Sequence, residues 1–406
     1  MTVDVSSYNE SPSDPNTILA IAKKYSEANM HDLCLLFVEK GLEICDDSLR
    51  NDFYLMQSIC GFYSKQPQRV ISGRQACEIL ATDPSLPWST RNNARQNSTY
   101  YCQGATQIMP STNFQPISFI PPDDYKAMNP SISRLGDQLW MIQRTVNYVI
   151  RPDGSYDMRG DTAIRTRNHL LRLDDDLNVI SSEEILPPEN SPQPLYDLVL
   201  GFEDCRLFFI DGNPSCTSTV REMNDDGYCE IVMSDILRSN DGRLRFANPR
   251  TISPDFCSKQ HEKNWMPLVV RGEPFFVYST DPTRIVNKNG SIISQNSVPL
   301  ALDSFRGGSP LVRFDDSWMA IIHESHTMPD SRRRYIHRFV TYDDNGVVKA
   351  FSPGFYIKAL GIEFAAGMAV HPKSGDVIVS FGLNDCESWL ATFSADEIRK
   401  ILTPCA

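Results

Sequence analysis

No apolar run in this chain approaches the roughly 18 residues that a membrane-spanning helix requires. Its longer apolar stretches, such as 33–38, 267–270 and 318–322, stop far short of that. The first fifteen residues, MTVDVSSYNESPSDP, lack the basic stretch and apolar core of a secretory signal. These two absences predict a soluble protein that is cytoplasmic, or one whose signal has been removed. Basic residues are the minority charge, 39 against 51 acidic for a net charge of -12, which argues against general nucleic-acid binding through a positive field. Any basic site must be local.

Paired cysteine motifs are also missing. The eleven cysteines form an odd set with no CxxC anywhere, which fits neither a disulfide scaffold nor a zinc site. Reduced, mostly buried thiols are expected, and the sequons at Asn97 and Asn289 then carry nothing. There is no glycine-rich phosphate loop of Walker type, and Asp174-Asp175-Asp176 reads as a turn after a strand, not as a metal-binding DxD. No protein-held metal or redox cofactor is expected, with a divalent ion at a nucleotide-sugar donor as the one alternative.

The residues that are present change character near 105. Before it, apolar positions recur at helical spacing: Ile18, Ile21, Ala22 and Tyr25, then Leu33, Leu36 and Phe37. Asp14 or Asn16 caps the first helix, Asp32 opens the second and Asp52 precedes the third, which carries Phe53, Leu55, Met56 and Ile59. A fourth is expected over about 73–81, stopped by Asp83-Pro84, and a fifth from about Thr90 to Tyr101. Helix pairs of this spacing are similar to tetratricopeptide hairpins, with a plain helical bundle as the alternative. The expected domains are an all-α helical-hairpin domain over 1–105 and a mainly β domain over 106–406. A protein partner is a possible ligand of the helical part.

From Phe114 onward short strands rich in Ile, Val, Phe and Trp are punctuated by Gly, Asp, Asn and Pro. Five segments superpose, starting at 129, 202, 263, 307 and 365, 44 to 73 residues apart. Each opens on a polar or small cluster, runs through a strand, turns, and climbs a second strand. That spacing holds a four-stranded blade with its loops, so the pattern predicts a five-bladed β-propeller. A large β-sandwich accounts for the strand density but not for polar clusters recurring at one point of each repeat.

In a propeller the innermost strands line a central funnel, so those clusters converge. The set is Asn129, the Glu203-Asp204-Cys205-Arg206 tract, Lys263-Asn264-Trp265 and Arg306-Gly307-Gly308, joined from returning strands by Arg144, Tyr148, His323, Glu324 and Asp385. Carboxylates, cations and an indole around one funnel suit a sugar, whose hydroxyls take charged hydrogen-bond partners and whose ring face stacks on an aromatic.

Met128-Asn-Pro-Ser-Ile, Gly201-Phe-Glu-Asp-Cys-Arg, Lys263-Asn-Trp-Met-Pro, Arg306-Gly-Gly-Ser-Pro, Ile322-His-Glu, and Gly367 followed by Ser380-Phe-Gly-Leu-Asn-Asp resemble the ordered motifs of glycoside hydrolase family 130. The resemblance covers about residues 120 to 403. That family contains inverting β-mannoside phosphorylases and β-1,2-mannosidases, and related propellers act as mannosyltransferases. The chain departs from it in having Glu-Asp-Cys-Arg where Glu-Asp-Pro-Arg is usual. Its Gln143-Arg-Thr-Val-Asn-Tyr tract and helical N-terminal region look more like propellers beside tetratricopeptide repeats in glycosyltransferases.

The resemblance implies that Asp204 is the acid, or the base in the synthetic direction, with Glu203 beside it and Arg206 holding the pair. It implies sugar-binding roles for Lys263 and Asn264, with Trp265 either stacking or packing beneath them. It places phosphate on Arg306, His323 and Arg338, with Tyr335 and His337 as further candidates, while Arg332-Arg333-Arg334 reads as a solvated loop. Guanidinium forks and an imidazole suit such an oxyanion, whether free phosphate or the phosphate of an activated donor. The expected partners are a sugar 1-phosphate or nucleotide sugar and a glycan or other acceptor. An inverting glycosidase with Glu324 as base is the runner-up, since two carboxyl groups are what hydrolysis needs. A propeller that only binds glycan or protein is the third reading.

Overall fold

The computed structural model describes residues 12–151, 155–189, 191, 193–257, 259–328 and 332–405 of the chain. It divides into two compact units: the segment up to Cys102 with Pro299–Ala301, and Gln103–Val298 with Leu302–Ala406.

The first unit holds α1 (Pro15–Glu27), α2 (His31–Ile44), α3 (Asp47–Tyr63), α4 (Pro67–Thr82) and α5 (Trp88–Tyr101), each packed on the next. Asp14 caps α1 by accepting the Thr17 N–H at 2.9 Å, with Pro15 supplying a pre-set φ at the first turn. The third helix starts six residues before the position expected from Asp52, because Asp46 accepts the Ser48 N–H at 3.0 Å and captures the cap. Ile18, Ala22, Cys34, Val38, Phe53 and Cys60 are fully buried between α1, α2 and α3. Burial of each larger side chain contributes about 1.5–3 kcal/mol. Among the described residues no helix is long and apolar enough to cross a membrane.

The second unit is mainly β, its sheets set in a propeller-like arrangement. They are named here by a residue of the innermost strand or the turn entering it. The Asn129 sheet runs Lys126–Leu135, Gln138–Val146, Ile164–Leu173, Val179–Ile185. The Asp204 sheet runs Glu203–Ile210, Asn213–Val220, Glu230–Arg238, Leu244–Ile252. Met266–Val270, Glu273–Thr280, Thr283–Asn287 and Ile292–Asn296 make the Asn264 sheet. The Gly307 sheet is built on Ser317–Thr327 and Arg333–Tyr342, with Arg306–Gly307 at its inner edge. In the Gly367 sheet, Glu363–Val370, Val377–Leu383 and Glu387–Phe393 are completed by Asn113–Pro116, so segments from the two ends of the second unit share one sheet.

Neighbouring sheets pack face to face through alternate residues of their strands. Ile142 and Leu170 meet Leu207 and Val232, Phe208 and Met233 meet Trp265 and Phe276, and Met319 and Phe339 meet Met368 and Phe381. Ile132 and Met141 meet Ala369 and Ile378. The inner strands are also tied directly: the Ser131 hydroxyl donates to Ala366 O at 2.9 Å and accepts the Leu207 N–H at 3.0 Å, and the Leu311 N–H donates to Pro267 O at 2.8 Å. Glycine is required where these strands come closest. A Cβ on Gly367 would lie 2.1 Å from Ile132 N, and one on Gly307 would lie 2.1 Å from Asn264 O.

Candidate functional site

Two of the polar clusters stand where an inner strand departs from regular pairing, and that of Asn264 lies just before its strand begins. The register slips between Met128 and Ser131 in one sheet and between Glu203 and Arg206 in the next. Asn129, Asp204 and Asn264 occupy these entries in the left-handed region, at φ of 44°, 47° and 64°. Short Asn and Asp side chains tolerate that backbone better than other non-glycine residues, so the same residue type serves geometry and chemistry. The bulge re-aims the side chain that follows it.

Asp204 is thereby turned toward Asn129 and Arg144. Its Oδ1 accepts Asn129 Nδ2 at 2.9 Å and Arg144 Nη1 at 2.7 Å. Arg144, only 4% exposed on the second strand of the Asn129 sheet, gives its other terminal nitrogen to Glu203, so one fork holds two consecutive carboxylates. Asp204 Oδ2 has no hydrogen-bond partner among the described residues, and the side chain keeps 22% exposure. One oxygen is clamped and the other is presented.

Arg206 does a different task. Its Nε donates to Gly308 O at 2.7 Å, Nη1 to Asp204 O at 3.1 Å and Nη2 to Asn264 Oδ1 at 3.0 Å, which joins three sheets at the centre. Burial pulls this guanidinium down to about 10, with the Asp204 charge opposing it. Burial also pushes Asp204 upward, but Arg144, the Asn129 hydrogen bond, Arg206 and Lys263 outweigh it and hold the carboxyl below its ordinary value. Asp385, in the turn after Val377–Leu383, is half-buried and moves the other way. Burial raises it, Asp204 adds to that, and Arg144 and Arg333 only partly compensate. Tyr148 is raised by burial beside Arg144, Glu203 and Asp385. Asp204, Glu203, Arg144, Tyr148 and Asp385 therefore share one electrostatic environment.

A second group adjoins it. The His323 ring stacks on Tyr335 with centroids 5.4 Å apart and is 3% exposed. Burial, then His337, Arg206 and Arg306, push its pKa well down, so it is a neutral imidazole whose Nδ1 has no partner among the described residues. Tyr335 is raised by burial and feels Asp385, Arg333, Asp204 and Arg306. Arg306 is exposed and lies opposite His323 in register.

Alternation along Ser317–Thr327 separates the remaining expected residues from this group. His323 pairs His337, while Glu324 pairs Ile336 and so points to the other face of the sheet. There Glu324 accepts the Ser304 hydroxyl at 2.9 Å and lies 3.4 Å from His326 Nε2. Arg338, opposite Ile322, is turned the same way: it donates to Ser352 O at 2.9 Å and lies over the Phe305 and Phe351 rings. The structure does not bring Glu324 or Arg338 to Asp204. Trp265 is 1% exposed, bonded through Nε1 to Glu262 Oε2 at 3.0 Å and packed on Phe276 and Tyr278, a core position at the edge of the site.

Lys263, Asn264, Trp265 and Arg306 line a cavity of about 630 Å³ together with Arg221, Cys229, His261 and Tyr278. Arg221 was not among the expected residues. It lies one residue past the second strand of the Asp204 sheet, two positions beyond Thr219, which holds opposite Glu203 the place that Arg144 holds opposite Met128, so no repeat position in the sequence points to it. Arg333 was read as solvated, yet its charge reaches Asp385 and Tyr335. A larger cavity of about 680 Å³, lined by Phe202, Glu222, Met223, Leu237 and Phe246 among others, includes none of the expected site residues. Among the described residues no group of three or more His, Cys, Asp or Glu is placed to hold a metal ion, and all eleven cysteines are free.

No family model matches the sequence, and no curated protein does. Several solved structures are similar in fold. A β-1,2-mannobiose phosphorylase from Listeria innocua, in complex with β-1,2-mannobiose, aligns at 11% identity and a TM-score of 0.46 over 74% of this chain and 98% of its own. A mannose phosphorylase from Leishmania mexicana, in complex with phosphate ion, aligns at 13% identity and 0.45 over 72% and 90%. A GDP-Man-dependent mannosyltransferase from Leishmania mexicana aligns at 11% identity and 0.43 over 70% and 89%.

Proposed function

We propose that the chain is a carbohydrate-active enzyme that transfers a glycosyl group from a phosphate-bearing donor to a hydroxyl acceptor, with Asp204 as general base, on a propeller of five blades. The observation that carries this reading is the state of Asp204. One oxygen is clamped by Arg144 and Asn129, the other is unpartnered, and the carboxyl is held ionised beside a cavity whose uncommitted charges are positive.

In such a site the acceptor hydroxyl gives its proton to Asp204 Oδ2 as its oxygen attacks the anomeric carbon. The bond from that carbon to the donor phosphate oxygen breaks, and the phosphate leaves into the cationic cavity. Attack from the side opposite the leaving group gives inversion. Arg144 keeps the carboxylate oriented, and Asn264, fixed by Arg206, and Asp385 meet sugar hydroxyls in this reading. The ordered motifs shared with glycoside hydrolase family 130 support the same class of chemistry.

The runner-up reading, hydrolysis with Glu324 as base, draws little support from a carboxylate that points to the other face of its strand. Five sheets of four or more strands and five repeats in the sequence support the reading of five blades. The proposal is tested by supplying nucleotide sugars and sugar 1-phosphates with an acceptor panel. Donor consumption that depends on acceptor supports transfer, and release of free sugar at the same rate without acceptor overturns it.

A further inference from the structure

Cations rarely gather without counterions unless an anion is meant to join them. Arg221, Lys263 and Arg306 line one cavity, and none of the three is paired with a carboxylate among the described residues. This occurs in a chain whose net charge is -12. The one acid in the wall, Glu262, is already engaged by Trp265 Nε1 at 3.0 Å and Gln260 Nε2 at 2.8 Å. Arg221 is held at its Nε by Gly227 O at 2.9 Å and lies over the Tyr196 ring, which leaves its terminal nitrogens as donors. The positive field is also felt by His261, lowered by burial and then by Lys263 and Arg221.

We propose that this trough binds the diphosphate and nucleoside of a nucleoside diphosphate sugar, and that inorganic phosphate is not its main ligand; the inference rests on, and narrows, the donor class proposed above.

Size is the first reason. About 630 Å³ lies within the range of about 300–1,000 Å³ typical of pockets for whole small-molecule ligands. A free phosphate replaces only a few waters of about 30 Å³ each. Shape is the second. Cys229, Gln260 and Glu262 also line an adjoining cavity of about 350 Å³ that reaches Asn224 and Tyr228, so the space continues beyond the one that Lys263 and Arg306 line.

Chemistry along that length is the third. Lys263 acts on the Asp204 charge, and Arg306 lies opposite His323, which feels Asp204 as well, so a leaving phosphate would lie at these two cations. Toward the far end the His261 ring is fixed by the Cys229 N–H donating to its Nδ1 at 3.1 Å. Tyr228 lies 5.3 Å from it, offering flat faces and amide or hydroxyl groups for a base. Cations followed by aromatics match a diphosphate followed by a nucleoside.

The test is calorimetric titration of the full chain with ADP, GDP and UDP, and with inorganic phosphate and pyrophosphate. At least one nucleoside diphosphate is expected to bind at least about tenfold tighter than either inorganic ligand. Arg221→Ala and Lys263→Ala are each expected to weaken it by about tenfold or more, the loss of a charged hydrogen bond. Arg238→Ala, which removes a surface cation paired with Glu183, is expected to leave it unchanged. Phosphate or pyrophosphate binding as tightly as every nucleotide would overturn the proposal, as would nucleotide binding indifferent to Arg221→Ala and Lys263→Ala in folded protein. Asp204→Asn separates the two readings. If nucleotides bind as stated but this variant transfers sugar at the wild-type rate, the role of Asp204 falls and the trough stands. If instead Asp204-dependent turnover uses inorganic phosphate and no nucleotide binds, the trough assignment falls and the glycosyl chemistry stands.

Discussion

Replacing Arg144 by Met would leave the two carboxylates it joins with no cation between them. Arg144 is almost fully buried and bonds Glu203 and Asp204 together, while those side chains keep 15% and 22% exposure. Breaking a buried ion pair by removing one partner costs about 3–5 kcal/mol, because the other charge is stranded. Partial exposure screens some of that loss, so a value near the lower end, about 3 kcal/mol, is expected at pH 8. The sign of the pH dependence follows from the pair. In the wild type Asp204 is depressed below its ordinary value, so its contribution is present above about pH 3.8 and is lost as pH falls through the folded-state value. In Arg144→Met, burial acts unopposed by the nearest cation and raises the Asp204 carboxyl, so the variant improves as pH falls. The gap between the two proteins should narrow to less than about half its size by pH 4.5. Urea unfolding followed by circular dichroism at both pH values measures it. A difference below about 1 kcal/mol at pH 8, or one that does not change with pH, would refute the view that Arg144 carries this charge cluster.

Two further predictions concern the frame around the site. Gly367→Ala should destabilise by about 1–3 kcal/mol, because the added Cβ would sit 2.1 Å from Ile132 N and 2.4 Å from Ser380 Oγ; an unchanged melting temperature would contradict the close approach. Glu363 accepts the N–H groups of Ile357, Lys358 and Ala359 at 2.6, 2.6 and 2.8 Å, yet burial holds it up at about 7. Its folded value exceeds its unfolded one, so its contribution to stability is greatest below about pH 4.5 and is lost as pH rises through about 7. Glu363→Gln should therefore flatten the stability profile between pH 5 and 8, and an unchanged slope would reject that assignment.

Much of the helical unit was legible because its signals are local. Asp14 caps where its side chain dictates, and Asp83-Pro84 ends α4. The third helix was misplaced because two acids, Asp46 and Asp52, compete as caps, and the Asp46 side chain takes the Ser48 N–H. In the β region the repeat revealed the inner-strand entries at Asn129, Asp204 and Asn264, since each needs a short polar residue for a left-handed backbone. Returning strands were harder. Side chains there alternate between faces, and a one-residue difference sends His323 toward Tyr335 but Glu324 toward Ser304. Arg338 fails for the same reason: its neighbour in the chain, His337, shares a face with His323, and Arg338 does not. Arg221 and Arg333 were overlooked because a cation outside a motif looks like any solvated one until its neighbours in space are known.

The central claim is that Asp204 is the proton acceptor in glycosyl transfer, and turnover of Asp204→Asn tests it most directly. The wild type and the variant would be compared on a panel of nucleotide sugars and sugar 1-phosphates with acceptors, with circular dichroism showing that both are folded. The account predicts acceptor-dependent donor consumption by the wild type and a loss of about 10²-fold or more in the variant, the scale of a lost general base. Turnover by Asp204→Asn at the wild-type rate would contradict it.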